Sequence, residues 1–176
     1  MHLCSGLKTC NINAYFGEPI QHRGSQPLKL TLFTDYSMRV LLYLGARPDR
    51  LCSIAEVARA YGISQNHLMK VANQLARAGY IESVRGRLGG IRLGRPAEAI
   101  NIGELVRHTE DEVDLADCGG CLIAPACGLT GMLKEAMAGF FAVLDRYTLA
   151  DLLTRRQDLG RLLMEASAAP VASPAA

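Results

Sequence analysis

Three of the six cysteines lie close together in the second half of the chain. Cys118, Cys121 and Cys127 follow the spacing C-x2-C-x5-C, and both residues between the first pair are glycine. Because glycine lets the backbone curl tightly, three thiols on such a segment can converge on one centre. Thiols in this arrangement are suited to metal binding or to redox chemistry.

Four interpretations of these three thiols are possible. An iron–sulfur cluster is favoured, since thiolate is its usual ligand and three cysteines leave one position for a weaker ligand. A structural zinc site normally has four ligands that include a second close pair. A thioredoxin-type redox pair needs its two cysteines at a helix N-terminus after a strand. Unligated thiols are the fourth alternative.

The surroundings of the cysteines favour a reducing cytoplasm over secretion. Residues 1–24 have neither the basic start nor the apolar run of a signal peptide. A chain of 176 residues with 49% hydrophobic residues does not need disulfides to fold. It also has no uninterrupted apolar stretch that could span a bilayer, so no membrane partner is expected. Cys52 matches no motif and is expected to be a buried, small apolar residue.

The region before the cysteine cluster predicts a helix-turn-helix. A first helix is expected over residues 33–46, with Thr34 as its N-cap and the pair Asp35 and Arg39 one turn apart. A capping box, Ser53-x-x-Glu56, begins a short helix that ends at Tyr61.

The next residues complete the helix-turn-helix. Gly62 fits the left-handed position after the short helix, and Ser64 begins another helix over residues 65–78. The apolar residues expected to face inward on this helix are Leu68, Val71, Ala72 and Leu75. Two short helices joined by a glycine-containing turn are typical of this motif.

A basic β-hairpin follows the second of these helices. Residues 80–84 alternate like a strand, residues 85–90 are rich in glycine and arginine, and residues 91–93 read as a returning strand. A helix-turn-helix followed directly by a basic hairpin predicts a winged helix.

Charge distribution indicates nucleic acid as the partner. The net charge is only +2, but residues 59–95 carry seven basic residues against one acid, whereas residues 104–117 are strongly acidic. The start of a recognition helix enters the major groove, and arginines of a wing suit a narrow minor groove. The residues expected to contact DNA are Ser64, Gln65, Asn66, His67 and Lys70 on the helix, with Arg85, Gly86, Arg87 and Gly90 in the wing.

The C-terminal part predicts a helical dimer interface. A short helix over residues 102–110 precedes the cysteine loop, and a long helix is expected over residues 129–147. Its apolar residues repeat at alternating steps of four and three, as in a helix-on-helix seam. These are Leu129, Leu133, Ala136, Phe140, Val143 and Tyr147. A last short helix begins at Thr148.

The chain therefore reads as mainly α: a winged helix-turn-helix with a small β-hairpin wing and a long C-terminal dimerisation helix. The expected divisions are a disordered extension at 1–27, the DNA-binding domain at 28–100, a linker helix and cysteine loop at 101–128, dimerisation and C-terminal helices at 129–160, and a disordered tail at 161–176.

Five stretches of the sequence resemble the NsrR/IscR family of iron–sulfur winged-helix regulators, and above all its nitric-oxide-sensing repressors. The resemblance covers residues 28–153. It lies in LTLFTDYSMRVLLYL, YGISQNHLMKVANQLARAGYI, VRGRLGGIRLGRPAEAINIGELVR, CLIAPAC and LDRYTLADL. One feature differs, since the family usually separates its first two cluster cysteines by a longer segment.

The resemblance implies a homodimer that binds a palindromic operator while its cluster is intact and releases it on nitrosylation. It implies a cluster held by Cys118, Cys121 and Cys127, with 4Fe–4S favoured and 2Fe–2S as the alternative. In some members an aspartate from the other subunit is a fourth ligand, and Asp35 matches it. The competing interpretation of Asp35 is an ordinary helix-start acid paired with Arg39.

Other functions fit the sequence less well. A related regulator that senses iron or iron–sulfur status would share the fold, the dimer and DNA binding. A zinc-stabilised DNA-binding protein and an iron–sulfur redox protein are further alternatives. No enzyme activity is expected, because the four histidines do not cluster in sequence and no phosphate-loop or nucleophile motif is present.

Overall fold

The computed structural model describes residues 29–86, 89–110, 115–116 and 120–168, with the backbone alone described at residues 156 and 164–168. This part of the chain folds into helices and a single two-stranded hairpin. The elements are α1 (Leu32–Gly45), α2 (Ile54–Tyr61), α3 (Gln65–Arg77), β1 (Ile81–Val84), β2 (Gly90–Leu93), α4 (Ile102–Thr109), α5 (Gly128–Leu144), α6 (Leu149–Leu152) and α7 (Arg156–Ala168). The winged-helix class predicted from the sequence is confirmed.

The first helix lies at the centre of the core. Helix α1 packs against α2, α3, α4, α6 and β2, and the side chains of Val40, Leu41, Tyr43 and Leu44 are at most 2% exposed. The predicted N-cap at Thr34 is wrong. The cap is Thr31, whose hydroxyl accepts a hydrogen bond from the backbone N–H of Thr34 at 3.2 Å. Thr34 is instead buried in the first turn.

Helices α2 and α3 form the helix-turn-helix as the sequence predicts. Gly62 ends α2 with φ of 63°, a left-handed conformation that favours glycine. The inward face of α3 is the predicted one, and its side chains are at most 5% exposed: Leu68, Val71, Ala72 and Leu75. Burying this face of α3 leaves the opposite face in solvent.

The wing is the antiparallel hairpin of β1 and β2. Ile81 pairs with Leu93, and Val84 pairs with Gly90. A further antiparallel bridge joins Ile91 to Cys52 through N–H···O bonds of 3.0 and 2.8 Å. The segment before α2 thus extends the hairpin, so the wing is attached to the helix-turn-helix by backbone hydrogen bonds.

The long helix α5 is fixed to α4 at its C-terminal end. Arg107 donates two hydrogen bonds of 2.7 Å to the carboxylate of Asp145, and the Asn101 side chain donates to the Asp145 carbonyl at 2.8 Å. Gly103 lies directly against Asp145, where an added Cβ would collide with the carboxylate. The helix ends at Leu144, earlier than predicted, because the chain turns at Asp145 to join α6.

The C-terminal helices close the domain. Thr148 and Asp151 form a capping box at the start of α6, where the sequence predicts a helix. Helix α7 then packs against α2 and continues to Ala168, with Leu163 only 5% exposed. The expected disordered tail is therefore corrected for residues 161–168. Leu159 and Leu163, four residues apart, give α7 an apolar side that meets the core. None of the described helices is both long and apolar enough to cross a membrane.

The contact between Gly103 and Asp145 gives a stability prediction. Gly103→Ala should destabilise the protein by about 1–3 kcal/mol, since the new methyl group forces the Arg107–Asp145 pair apart. Urea unfolding at matched protein concentration measures this effect. Gly131→Ala is the control, because an added Cβ there meets open space on α5. This substitution should raise the free energy of unfolding by about 0.5–1 kcal/mol. Equal effects of the two substitutions would contradict the proposed contact.

Candidate nucleic-acid interface and metal centre

The N-terminal end of α3 presents a polar surface. Ser64, Gln65, Asn66, His67 and Lys70 are all exposed, as the sequence analysis expects of residues that contact DNA. Ser64 occupies the N-cap position, but its side chain makes no capping hydrogen bond. Its hydroxyl and the first N–H groups of α3 are available to an anion such as a DNA phosphate.

The position of this surface is set partly by α1. The ring of Tyr36 on α1 stacks on His67, with ring centroids 6.5 Å apart and planes at 27°. On the same helix, the guanidinium of Arg39 lies 5.6 Å from the ring centroid of Tyr61, at the end of α2. Neither contact could be predicted from the sequence, because no local pattern relates α1 to residues of α2 or α3.

The wing places some of its predicted DNA-binding residues in solvent. Arg85 and Gly86 are exposed, and Gly86 has φ of 118°, which favours glycine. Arg87 lies outside the described residues. Gly90 has a packing reason to be glycine, since an added Cβ would lie 2.8 Å from the carbonyl oxygen of Cys52.

A charged network between α1 and α2 was not predicted. Glu56 accepts hydrogen bonds from the Tyr43 hydroxyl at 2.7 Å and from Arg50, joining α1 and α2 to the segment between them. Its carboxylate is therefore turned away from the capping box predicted with Ser53. Only half of that box forms, through a 3.1 Å bond from the Glu56 N–H to the Ser53 hydroxyl.

The network shifts the pKa values of its members. The hydrogen bond from Arg50, helped by that from Tyr43, lowers the pKa of Glu56 to about 2, although partial burial opposes this shift. Burial and the hydrogen bond to Glu56 raise the pKa of Tyr43 to about 12. The pKa of Arg50 is raised mainly by its bond to Glu56, so this pair stays charged over the whole physiological range.

Two of the three predicted cluster ligands lie on a turn just before α5. Cys121 is exposed, Cys127 is half-buried, and both are free thiols. A single 3-10 turn at Ala124–Ala126 separates them, and Cys127 immediately precedes the first residue of α5. Cys118 lies outside the described residues. Among the residues that are described, no three His, Cys, Asp or Glu side chains come together as a metal site.

Cys52 has a different environment from these thiols. It is fully buried in the core, as expected from the sequence, and burial raises the pKa of its thiol. A buried thiol of this kind is chemically inert and contributes packing.

Asp35 is paired within its own helix. Arg39 donates to both carboxylate oxygens of Asp35, at 3.0 and 2.9 Å, and this bond raises the pKa of Arg39. Both side chains are about two-fifths exposed, so solvent still reaches the carboxylate. The single chain therefore shows the helix-start ion pair, and a role for Asp35 as a ligand in the other subunit stays a prediction.

Hydrogen bonds join the start of α1 to the residues just before the cysteine connection, as we call the segment 111–127 between α4 and α5. Glu110, which follows α4 and is only 8% exposed, accepts hydrogen bonds from the N–H and hydroxyl of Thr31 at 2.8 and 3.1 Å. The buried hydroxyl of Thr34 also donates to the hydroxyl of Thr109 at 2.8 Å. These contacts hold the first turn of α1, which carries Asp35, against Glu110. The cysteine connection begins at the next residue.

Helix α5 leaves much of its apolar surface in solvent. None of its residues is buried in this single chain, and four of the predicted seam residues are 39–48% exposed: Leu129, Phe140, Val143 and Tyr147. Such a continuous apolar face is typical of a surface that another chain covers.

Comparison with known proteins assigns the family. The model of the Rrf2 family, described as an iron-dependent transcriptional regulator, matches residues 30–155. The chain belongs to the Rrf2 family. The HTH-type transcriptional regulator NsrR of Bacillus subtilis (strain 168) is 51% identical over 142 residues, which cover 77% of this chain and 97% of that protein. NsrR of Bacillus licheniformis is 46% identical over 142 residues, covering 77% and 99%.

Solved structures agree with this assignment. CymR (YrzC), the global cysteine regulator of B. subtilis, has 25% identity and a TM-score of 0.58, covering 73% of this chain and 98% of its own. IscR of T. potens shares the fold with a TM-score of 0.62 at 24% identity, covering 77% and 93%. The chain is thus an NsrR-type Rrf2 transcriptional regulator with a DNA-binding winged helix.

In this Rrf2 regulator, the Glu56 network predicts acid sensitivity. Glu56 stays ionised in the folded protein down to a pKa of about 2, against an ordinary value of 4.5. Its contribution to stability is therefore present above about pH 4.5 and is lost as the pH falls towards 2. Glu56→Gln should lower the free energy of unfolding by about 1 kcal/mol at pH 7 and by less at pH 3.

Urea unfolding at several pH values tests this prediction. Glu82→Gln is the matched control, because Glu82 pairs with Arg92 in an exposed ion pair on the wing. This substitution should change the free energy of unfolding by less than about 0.5 kcal/mol. A loss at Glu56 that is the same at pH 3 and pH 7 would show that the carboxylate charge is not responsible.

Proposed function

We propose that this protein is a nitric-oxide-responsive transcriptional repressor that binds palindromic operator DNA as a homodimer. An iron–sulfur cluster held by Cys118, Cys121 and Cys127 keeps it competent to bind, and nitric oxide releases it from DNA. The observation that carries the proposal is the position of two free thiols in the connection between the DNA-binding domain and α5. The NsrR relatives support the same function.

The DNA-binding part of the proposal rests on the exposed end of α3 and on the wing. Gln65 and Asn66 carry amides that can form paired hydrogen bonds with adenine, and Lys70 can reach guanine or a phosphate. Arg85 and Arg87 are proposed to enter the minor groove, with the glycines allowing close backbone approach. A palindromic operator requires two such surfaces about 34 Å apart, or one turn of DNA.

The residues around the cysteines fit an iron–sulfur cluster. Cys121 is exposed and Cys127 is half-buried, so both are reachable, and neither forms a disulfide. Cys127 precedes the N-terminus of α5, whose free N–H groups favour the negative charge of thiolates. A 4Fe–4S cluster is favoured and a 2Fe–2S cluster is the alternative. Asp35 is proposed as the remaining ligand, contributed by the other subunit.

When bound, the cluster supplies iron that reacts with nitric oxide. The residues of this chain explain why losing it would alter DNA binding. The cysteine connection runs between two fixed points, Glu110 bound to Thr31 at one end and Asp145 bound to Arg107 beyond α5. Without the cluster, the thiols no longer hold this connection in one conformation between those two points. A small rotation of the two α3 helices then lowers operator affinity, since both must fit successive grooves.

Regulation by iron or by cluster status is the second candidate, and the description of the Rrf2 family as iron-dependent favours it. It uses the same ligands and the same DNA surface, and differs only in the signal. In either case we propose a cytoplasmic protein without enzyme activity.

Substitutions on the two faces of α3 test the DNA surface. Gln65→Ala should weaken operator binding about tenfold, because a base contact in the major groove is lost. Gln74→Ala, at an exposed glutamine on the opposite side of the same helix, should change it by less than about twofold. Gel-shift titration of the cluster-loaded protein measures both. Equal losses would show that the N-terminal end of α3 does not read the operator.

Cysteine substitutions test the cluster and its signal. Cys121→Ala should yield colourless protein after anaerobic purification and weak operator binding, because a ligand is lost. Cys52→Ala, which removes the buried thiol instead, should keep the colour and the binding. Absorption spectra and gel shifts, before and after addition of nitric oxide, give both readouts.

The two candidate signals predict different results in that experiment. Nitric oxide should bleach the spectrum and release DNA if the first proposal is correct. Bleaching without release would contradict nitric-oxide control, and release on iron removal alone would favour the second candidate. A colourless wild-type protein that contains zinc and binds operator would contradict both.

A further inference from the structure

The turn between Cys121 and Cys127 exposes two large apolar side chains. Leu122 is 95% exposed and Ile123 is 63% exposed. The turn is ordered by backbone hydrogen bonds from Ala124 to Cys121 at 3.1 Å and from Ala126 to Ile123 at 3.0 Å. Most of both side chains is therefore in water in this single chain, which is unfavourable for apolar groups. We call this pair the apolar knob.

An apolar groove lies at the opposite end of α5. It has a volume of about 320 Å³ and is bounded by α1, α4 and α5. Its walls are mainly Leu30, Met38, Val106, Met137, Phe140 and Leu144, with Lys29, Glu110 and Leu115 beside them. A cavity of about 150 Å³ already holds benzene, so this groove has room for aliphatic side chains. We call it the α1–α5 groove.

The geometry of α5 decides which parts of two subunits can meet. The helix has 17 residues, with the knob just before its first residue and the groove along its last two turns. A two-fold axis that crosses α5 at a right angle places the start of one helix beside the end of the other. The knob of one subunit then faces the groove of its partner. An axis parallel to α5 would instead bring the two knobs together.

The apolar face of α5 joins these two features. Leu129 and Met132 are exposed near the knob, and Phe140 is exposed at the edge of the groove. The three form one surface along the helix, so a partner helix that covers this face continues directly into the groove.

We propose that Leu122 and Ile123 of each subunit insert into the α1–α5 groove of the other subunit. This inference rests on the proposed homodimer and specifies how its two cysteine turns are seated. Met38 in the groove lies on α1 one turn after Asp35, so insertion brings the cysteines of one chain beside the Asp35 of the other. The knob is thereby a positioning element for a site that needs both subunits.

Photocross-linking of the full chain tests the insertion. The variant Leu122→p-benzoylphenylalanine is mixed with ¹⁵N-labelled wild-type chain, irradiated and digested for mass spectrometry. The expected result is cross-links between labelled and unlabelled chains at peptides containing Met38 or Met137. The same replacement at Leu162, an exposed leucine on α7, should give none at these peptides. The measurement does not require the cluster, so both the metal-free and the loaded protein are tested.

Other cross-linking patterns overturn the proposal. Inter-chain cross-links between the two Leu122 positions would show knob-to-knob packing. Cross-links confined to one chain, or absent from the groove peptides, would show that the knob lies elsewhere. Cross-links from position 122 to peptides within residues 1–28 would show that the knob contacts that segment instead of the groove.

Sedimentation separates failure of this inference from failure of the proposed homodimer. A wild-type monomer overturns both, whereas a dimer with cross-links elsewhere overturns only the insertion. Leu122→Glu should lower the affinity of dimerisation at least tenfold relative to the wild type, because a charge cannot enter the apolar groove. Leu162→Glu should leave dimerisation unchanged. An unaltered dimer with Leu122→Glu would contradict the insertion.

Discussion

Packing of α3 against α1 is the interaction on which the rest of the molecule depends. The buried side of α3, formed by Leu68, Val71 and Leu75, is held on a helix that is itself surrounded by the core. Burying those three side chains contributes several kcal/mol and leaves α3 one orientation. Its polar N-terminal end faces solvent as a consequence, so core formation itself exposes the surface that is proposed to read DNA.

Helix α1 also links the proposed DNA-binding surface to the cysteine connection. Tyr36 and Arg39 contact the helix-turn-helix, and Thr31 and Thr34 are bonded to Glu110 and Thr109, where that connection begins. A packed helix moves as a unit, so a displacement at its first turn reaches His67 and Tyr61 together. This arrangement gives the proposed sensor a short physical route to the residues that are proposed to contact DNA.

Helix α5 differs from the other long elements in what stabilises it. It is held at one end by the Arg107–Asp145 pair and by the fit of Gly103, while its apolar face stays in solvent. Most of the stability of a helix in a protein comes from packing its apolar face against other parts of the fold. A second subunit would supply the missing burial, which connects the proposed dimer to the stability of the fold as well as to operator spacing.

The local features of the fold could be predicted from the amino-acid sequence alone. Periodicity located the buried face of α3, Gly62 located the turn, and the spacing of Cys121 and Cys127 located their loop, because each depends on neighbours within a few residues. The contacts between residues far apart in the chain could not be predicted in this way. The carboxylate of Glu56 left its predicted capping box for Tyr43 and Arg50, α1 took its cap from Thr31, and Gly90 proved to lie against Cys52. A local pattern carries no information about partners far along the chain, since packing brings those groups together only once the core has formed.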